Sequence, residues 1–208
     1  MANPPLTLSG GDPPGGTYSG PGVMHPLFDP AAAGPGIHVI TYTYANGACS
    51  AWATNTITVS SSLPSEVTIG TGGDYPSLTG DGGLFQAVNA ATLSSNLTAK
   101  VISDLSEPGT HALNAWAEDG GGPYSLSILP DAPILRNITG NVGVDMIRIN
   151  GADRVAFDGR YAGAGQYLLL RNQAAFNATF SFFSDACQIT LRNCIIEGAN
   201  RSTTNGVI

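Results

Sequence analysis

The chain has 208 residues, enough for one large domain or two smaller ones. Only 11% are charged and the net charge is −7, with no cluster of Lys or Arg to overcome repulsion from phosphates, so no nucleic-acid partner is expected. No apolar run approaches the ~18 residues that span a bilayer, and "MANPPLTLSG" lacks the basic start and apolar core of a signal peptide. With 27 Gly, 14 Pro and abundant Ser, Thr and Asn between short apolar runs, the composition predicts an all-β fold.

Residues 1–62 read as a small β-sandwich module. Short strands are expected around Leu6–Leu8 and Thr17–Tyr18, separated by the turn-forming "GGDPPGG". From Gly36 the pattern alternates, placing Ile37, Val39, Thr41 and Thr43 on one side and His38, Ile40, Tyr42 and Tyr44 on the other. The Asn-Gly pair in "ANGA" (Ala45–Ala48) favours a tight hairpin turn, and a second strand follows from Cys49 to Ser60. The stretches "GGTYSGPGV", "FDPAAAGPG", "ITYTYANGACSA" and "TITV" resemble adhesin-type immunoglobulin-like repeats of large secreted Bacteroidota proteins. That resemblance implies a spacer or adhesive role; with a single cysteine, Cys49, this copy has no internal disulfide.

Residues 63–66 belong to a short polar linker, after which the pattern changes. "EVTIGTGGDYPSLTGDGGLFQAVNAATLSSNLTAKVISDL" reads as strand, glycine turn, amphipathic helix, strand, with Leu84, Phe85, Val88 and Ala91 approximating one helical face. This order resembles the N-terminal entry of right-handed parallel β-helices of the pectate-lyase-like class. The resemblance implies that residues 67–208 are the first coils, with the helix capping an end that otherwise exposes backbone and apolar interior.

From Leu126 onward short strands recur: "LSILPD", "RNITG", "DMIRING", "RVAFDG", "QYLLLRN", "TFSFFSD", "QITLRN" and "CIIEG". "LLLRN" and "ITLRN" match at an offset of 21 residues, read as about one coil; a second match at 34 pairs Met146 with Phe180, Val155 with Ile189 and Phe157 with Leu191. Two to three coils are visible on this reading. "RSTTNGVI" stops where another strand is expected, which predicts an internal fragment of a longer protein whose uncapped last coil self-associates.

Parallel β-helices often carry carbohydrate-active enzymes, in which acids from successive coils face one groove. The candidate catalytic carboxylates are Asp145, Asp153 and Asp158, with Arg148, Arg154, Arg171 and Arg192 as candidate bases. Asp153 and Asp158 flank a strand where turns use Asx chemistry, so a structural role competes directly. Asp74 and Asp81 in "GGDYPSLTGDGG" are the candidate Ca²⁺ ligands, although their spacing fits neither an EF-hand nor a nonapeptide calcium repeat. His25, His38 and His111 stand alone, which argues against zinc. Tyr42, Tyr44 and Trp52 are the candidate sugar-binding platform, with cross-strand packing as the competing role. Cys187 and Cys194 would lie about 23 Å apart along a straight strand, so a disulfide requires a tight reversal between them, and buried free thiols are the expectation.

Scaffold grammar accounts for more residues than any acid–base set. The expected function is therefore a non-catalytic structural or adhesive segment of a secreted or cell-surface bacterial protein, meeting a glycan or a surface protein. The alternatives are part of an extracellular polysaccharide lyase or glycoside hydrolase, or a carbohydrate-binding module. No cofactor is expected other than the Ca²⁺ weighed above.

Overall fold

A computed structural model describes residues 4–199. Strand accounts for 45% of the chain and helix for 6%, so the protein is mostly β. It divides after Ser61 into two compact units.

The first unit contains β1 (Leu6–Thr7), β2 (Thr17–Ser19), β3 (Val23–Met24), β4 (Leu27–Phe28), a helical turn α1 (Pro30–Ala33), β5 (Gly36–Asn46) and β6 (Cys49–Val59). Asp29 caps α1 by accepting the Ala31 N–H at 2.9 Å, and Pro30 supplies its fixed φ at the first helical position. β2, β5 and β6 form one antiparallel sheet, and β1, β4 and β3 a smaller one. β5 and β6 pair over their full length, from Gly36 with Val59 to Asn46 with Cys49. The two-residue turn is therefore Gly47-Ala48, one position later than the Asn-Gly pair suggests, and Gly47 takes the φ of +63° that the turn demands. The core of this unit is small: Phe28 and Ile40 are its buried apolar residues.

The second unit is a parallel β-solenoid of about four turns. Its first coil holds β7 (Glu66–Ile69), α2 (Leu84–Ala90) and β8 (Thr92–Leu93). The next holds β9 (Leu97–Val101), β10 (Leu105–Ser106), β11 (Leu113–Asn114) and β12 (Ala117–Glu118). Then follow β13 (Leu126–Pro130), β14 (Arg136–Gly140) and β15 (Ile147–Asn150), and after them β16 (Val155–Asp158), β17 (Leu168–Asn172) and β18 (Phe180–Phe183). The last described coil carries β19 (Thr190–Arg192) and β20 (Cys194–Gly198). Like strands stack into parallel sheets: β7-β9-β13-β16-β19, β10-β14-β17-β20, β11-β15-β18 and the two-stranded β8-β12.

Alternation builds the interior. Leu97, Ala99 and Val101 on β9 point inward, as do Leu126 and Ile128 on β13 and Val155 and Phe157 on β16. Ile138, Leu168 and Leu170 close the second wall, and Ile147, Ile149 and Phe180 the third. Phe157 and Phe180 meet edge to face at 5.1 Å across the lumen. α2 contributes Leu84, Phe85 and Val88 to the same cluster, while Ala91 lies just past the end of the helix.

Pairing corrects the 21-residue repeat. Leu170 stacks on Ile138 and Ile196, whereas Leu191 stacks on Phe157 in a different sheet. "LLLRN" and "ITLRN" are therefore different walls of the tube. The real spacing varies from 25 residues (Thr92 with Ala117) to 36 (Leu113 with Ile149) because loop lengths differ. The 34-residue match holds for Phe157 with Leu191, but Phe180 lies on Ile147 rather than Met146. "RSTTNGVI", and with it the expected self-association at an uncapped end, lies outside the described residues.

Candidate functional site

Successive coils are tied together by short polar side chains at the loop corners. A carbonyl or carboxylate oxygen of one coil accepts a backbone N–H one coil later: Asn96 from Ser125 at 2.9 Å, Asp104 from Asn137 at 2.9 Å, Asp145 from Ala178 at 2.7 Å and Asp153 from Cys187 at 2.8 Å. Two of the three candidate catalytic carboxylates thus belong to this set of inter-coil ties. The Cys187 thiol and amide hold Asp153 below the ordinary carboxylate range. Such a carboxylate favours its ionised, hydrogen-bond-accepting state.

Asp158, the third candidate, ends β16 with its side chain only 8% exposed. Arg160 grips it with two hydrogen bonds of 2.9 Å, and Arg192 of the next coil reaches it at 2.8 Å. The Arg160 hydrogen bond first, and Arg192 after it, bring the carboxyl down to about 2, against an opposing burial effect. A group ionised across the physiological range is a poor general acid.

The remaining candidate bases are similarly engaged. Arg148 donates to the carbonyls of Gly109 and Thr110, both at 2.9 Å. Arg154 pairs with Glu118 at 2.6 Å and lies over the Trp116 ring at 5.9 Å. Arg171 lies 3.5 Å from Glu197 on the stacked strand. The asparagine of "LLLRN", Asn172, is fully buried and binds the carbonyls of Val144 and Ala178, each at 3.1 Å. Its counterpart Asn193 is exposed at a φ of +51°.

Asp74 and Asp81 serve separate contacts. Asp74 accepts from the Thr68 N–H and hydroxyl, both at 2.8 Å, and its own N–H returns to the Thr68 oxygen at 3.0 Å. Asp81 lies 2.9 Å from the His111 ring. Among the described residues no three His, Cys, Asp or Glu side chains converge to hold a metal ion. Asp74 is thus engaged by Thr68 and Asp81 by His111, each in a contact of its own.

One polar group gave no sign in the sequence. Glu107 is 1% exposed, and its carboxylate accepts the N–H groups of Leu78 at 2.8 Å and Thr79 at 2.7 Å together with the Thr79 hydroxyl. Burial pushes its carboxyl upward even so. The cysteines also depart from expectation. All three are free, but Cys49 and Cys187 are exposed; only Cys194 is half-buried, and burial raises its thiol to about 11.

The first unit contains an open cleft of about 350 Å³ between the loop Ser9–Asp12 and the sheet face bearing Tyr18, Ile40, Tyr42 and Asn55. Pairing decides which aromatic residues share this face. Trp52 lies opposite Thr43, so it is on the other side of the hairpin from Tyr42 and Tyr44 and is 73% exposed there, on the face that also carries the exposed Ile37 and Val39. Tyr42 lines the cleft and Tyr44 does not; Tyr18 and Asn55, absent from the sequence-based set, do. Tyr18 and Tyr42 contact at 4.8 Å between ring centres. Their hydroxyls hold the loop: Tyr42 donates to the Pro13 carbonyl at 2.6 Å and accepts the Gly16 N–H at 2.7 Å, while Tyr18 accepts the Gly11 N–H at 2.7 Å. A Cβ at Gly11 or Gly16 would enter the Tyr42 ring, so glycine at both positions lets the loop lie on it.

No protein-family model matches the chain, and neither does any curated protein or solved structure. Among the described residues no helix is long and apolar enough to cross a membrane.

Proposed function

We propose that this chain is a non-catalytic structural or adhesive segment of a secreted or cell-surface bacterial protein. In this reading the first unit is an immunoglobulin-like spacer, α2 caps the first coil, and the solenoid is right-handed and rigid. The observation that carries the proposal is the employment of the solenoid's acids. Asp145 and Asp153 tie one coil to the next, and Asp158 is neutralised by two arginines. A glycosidase needs two carboxyl groups facing one bond, one of them protonated, and a lyase needs an accessible base.

The test is an activity screen on pectin, alginate and neutral polysaccharides with and without Ca²⁺. The expected result is no release of reducing ends or unsaturated products. Turnover that disappears in Asp145→Asn, Asp153→Asn or Asp158→Asn would overturn the proposal in favour of a polysaccharide lyase or glycoside hydrolase.

A further inference from the structure

We infer that the cleft of the first unit binds a single neutral sugar ring. This deepens the adhesive reading by naming a ligand class, and it rests on the first unit alone. The cleft has the size range of small-ligand sites and mixes aromatic surface with a few polar groups, the combination that binds sugars. The Tyr42 hydroxyl is fully used by the loop, whereas that of Tyr18 only accepts from Gly11 and keeps its O–H as a donor to a sugar hydroxyl; the half-buried edges of the two rings add apolar surface to the lining. Asn55 uses its Oδ1 to accept the Thr56 N–H at 2.8 Å, which leaves its amide Nδ2 as a donor. Asp12 brings the only formal charge to the lining and accepts hydrogen bonds from hydroxyls.

Charge selects among sugars. Residues 1–61 contain Asp12 and Asp29 but no Lys, Arg or Glu. A uronate, sulfated or phosphorylated sugar would bring its anion towards Asp12 with no Lys or Arg in residues 1–61 to pair it. Neutral hydroxyls instead match an acceptor at Asp12 and a donor at Asn55.

The experiment is an amide NMR titration of the full chain with glucose, galactose, mannose and N-acetylglucosamine, compared with glucuronate and galacturonate. At least one neutral sugar should produce saturable shifts at Gly11, Tyr18 and Asn55 with a millimolar Kd, and the uronates should bind at least about 5-fold more weakly. Asn55→Ala should weaken binding by a similar factor, Asp12→Asn should narrow the gap between glucose and glucuronate, and Trp52→Ala on the opposite face should change neither. Absence of saturable shifts up to about 50 mM with every neutral sugar overturns the inference, as does equal binding of uronates or binding lost in Trp52→Ala. None of these failures bears on the non-catalytic reading, which falls only if the bound sugar or a polymer of it is cleaved.

Discussion

At Asp158 and Glu107 the same chemical group meets opposite fates, and the pH dependence of stability should reveal both. Asp158 is held at about 2 against an ordinary 3.8. A depressed carboxyl contributes stability above its unfolded value and loses it as pH falls through the folded one, here between about pH 4 and 2. The difference corresponds to about 2 kcal/mol. Asp158→Asn should therefore cost about that much at pH 7 and flatten the acid limb of a urea-midpoint profile; an unchanged midpoint would mean the arginines contribute nothing there. Glu107 is raised by burial, so its contribution is complete below the ordinary 4.5 and declines as pH rises through its elevated value. Glu107→Gln is not a neutral repair. It turns an amide NH₂ towards one of the N–H groups of Leu78 and Thr79, leaving a buried donor unpaired at about 1–3 kcal/mol. A melting temperature at or above that of the parent chain would contradict this.

β16 shows how a four-residue strand can anchor two coils. Phe157 is fully buried between Ile128 and Leu191 in its sheet and meets Phe180 across the lumen. Phe157→Ala should cost about 3–5 kcal/mol, while Phe176→Ala, at a 73% exposed position, should stay within about 0.5 kcal/mol. Comparable midpoints for the two variants would show that the lumen is not close-packed. Strands such as β13, β16 and β17 were legible in the sequence because their inward residues alternate. β10, β11 and β12 were not, since two residues contain no period; this is why the sequence shows fewer coils than the fold has. The resemblance of "LLLRN" to "ITLRN" misled for a related reason. A β-solenoid repeats apolar alternation on every wall, so two strands can look alike and never stack. The inter-coil ties of Asp145 and Asp153 escaped as well, because each partner lies 33 or 34 residues away and is a backbone amide that any residue supplies. Tyr42 could be singled out from its strand, but its partners in the cleft depend on hairpin register, which a one-position shift of the turn decides.

Across the molecule the core is shared unequally, and stability should follow it. The solenoid holds one continuous cluster running from Val67 to Phe180, while among the described residues the first unit buries only Phe28 and Ile40 of its apolar side chains. Hydrophobic burial is the main term opposing conformational entropy, and ordering a unit around two buried apolar side chains leaves little margin. Amide exchange should be slowest in β9, β13 and β16 and markedly faster in β5 and β6, even though the β5–β6 hairpin is the longest paired element in the chain. Ile40→Ala removes about 2–5 kcal/mol from whichever cooperative unit contains it. If the two units unfold separately, that loss abolishes protection throughout β5 and β6 and leaves the solenoid amides unchanged, with two calorimetric transitions in the parent chain and only the upper one in the variant. A single transition that moves as a whole in Ile40→Ala would contradict separate unfolding of the two units.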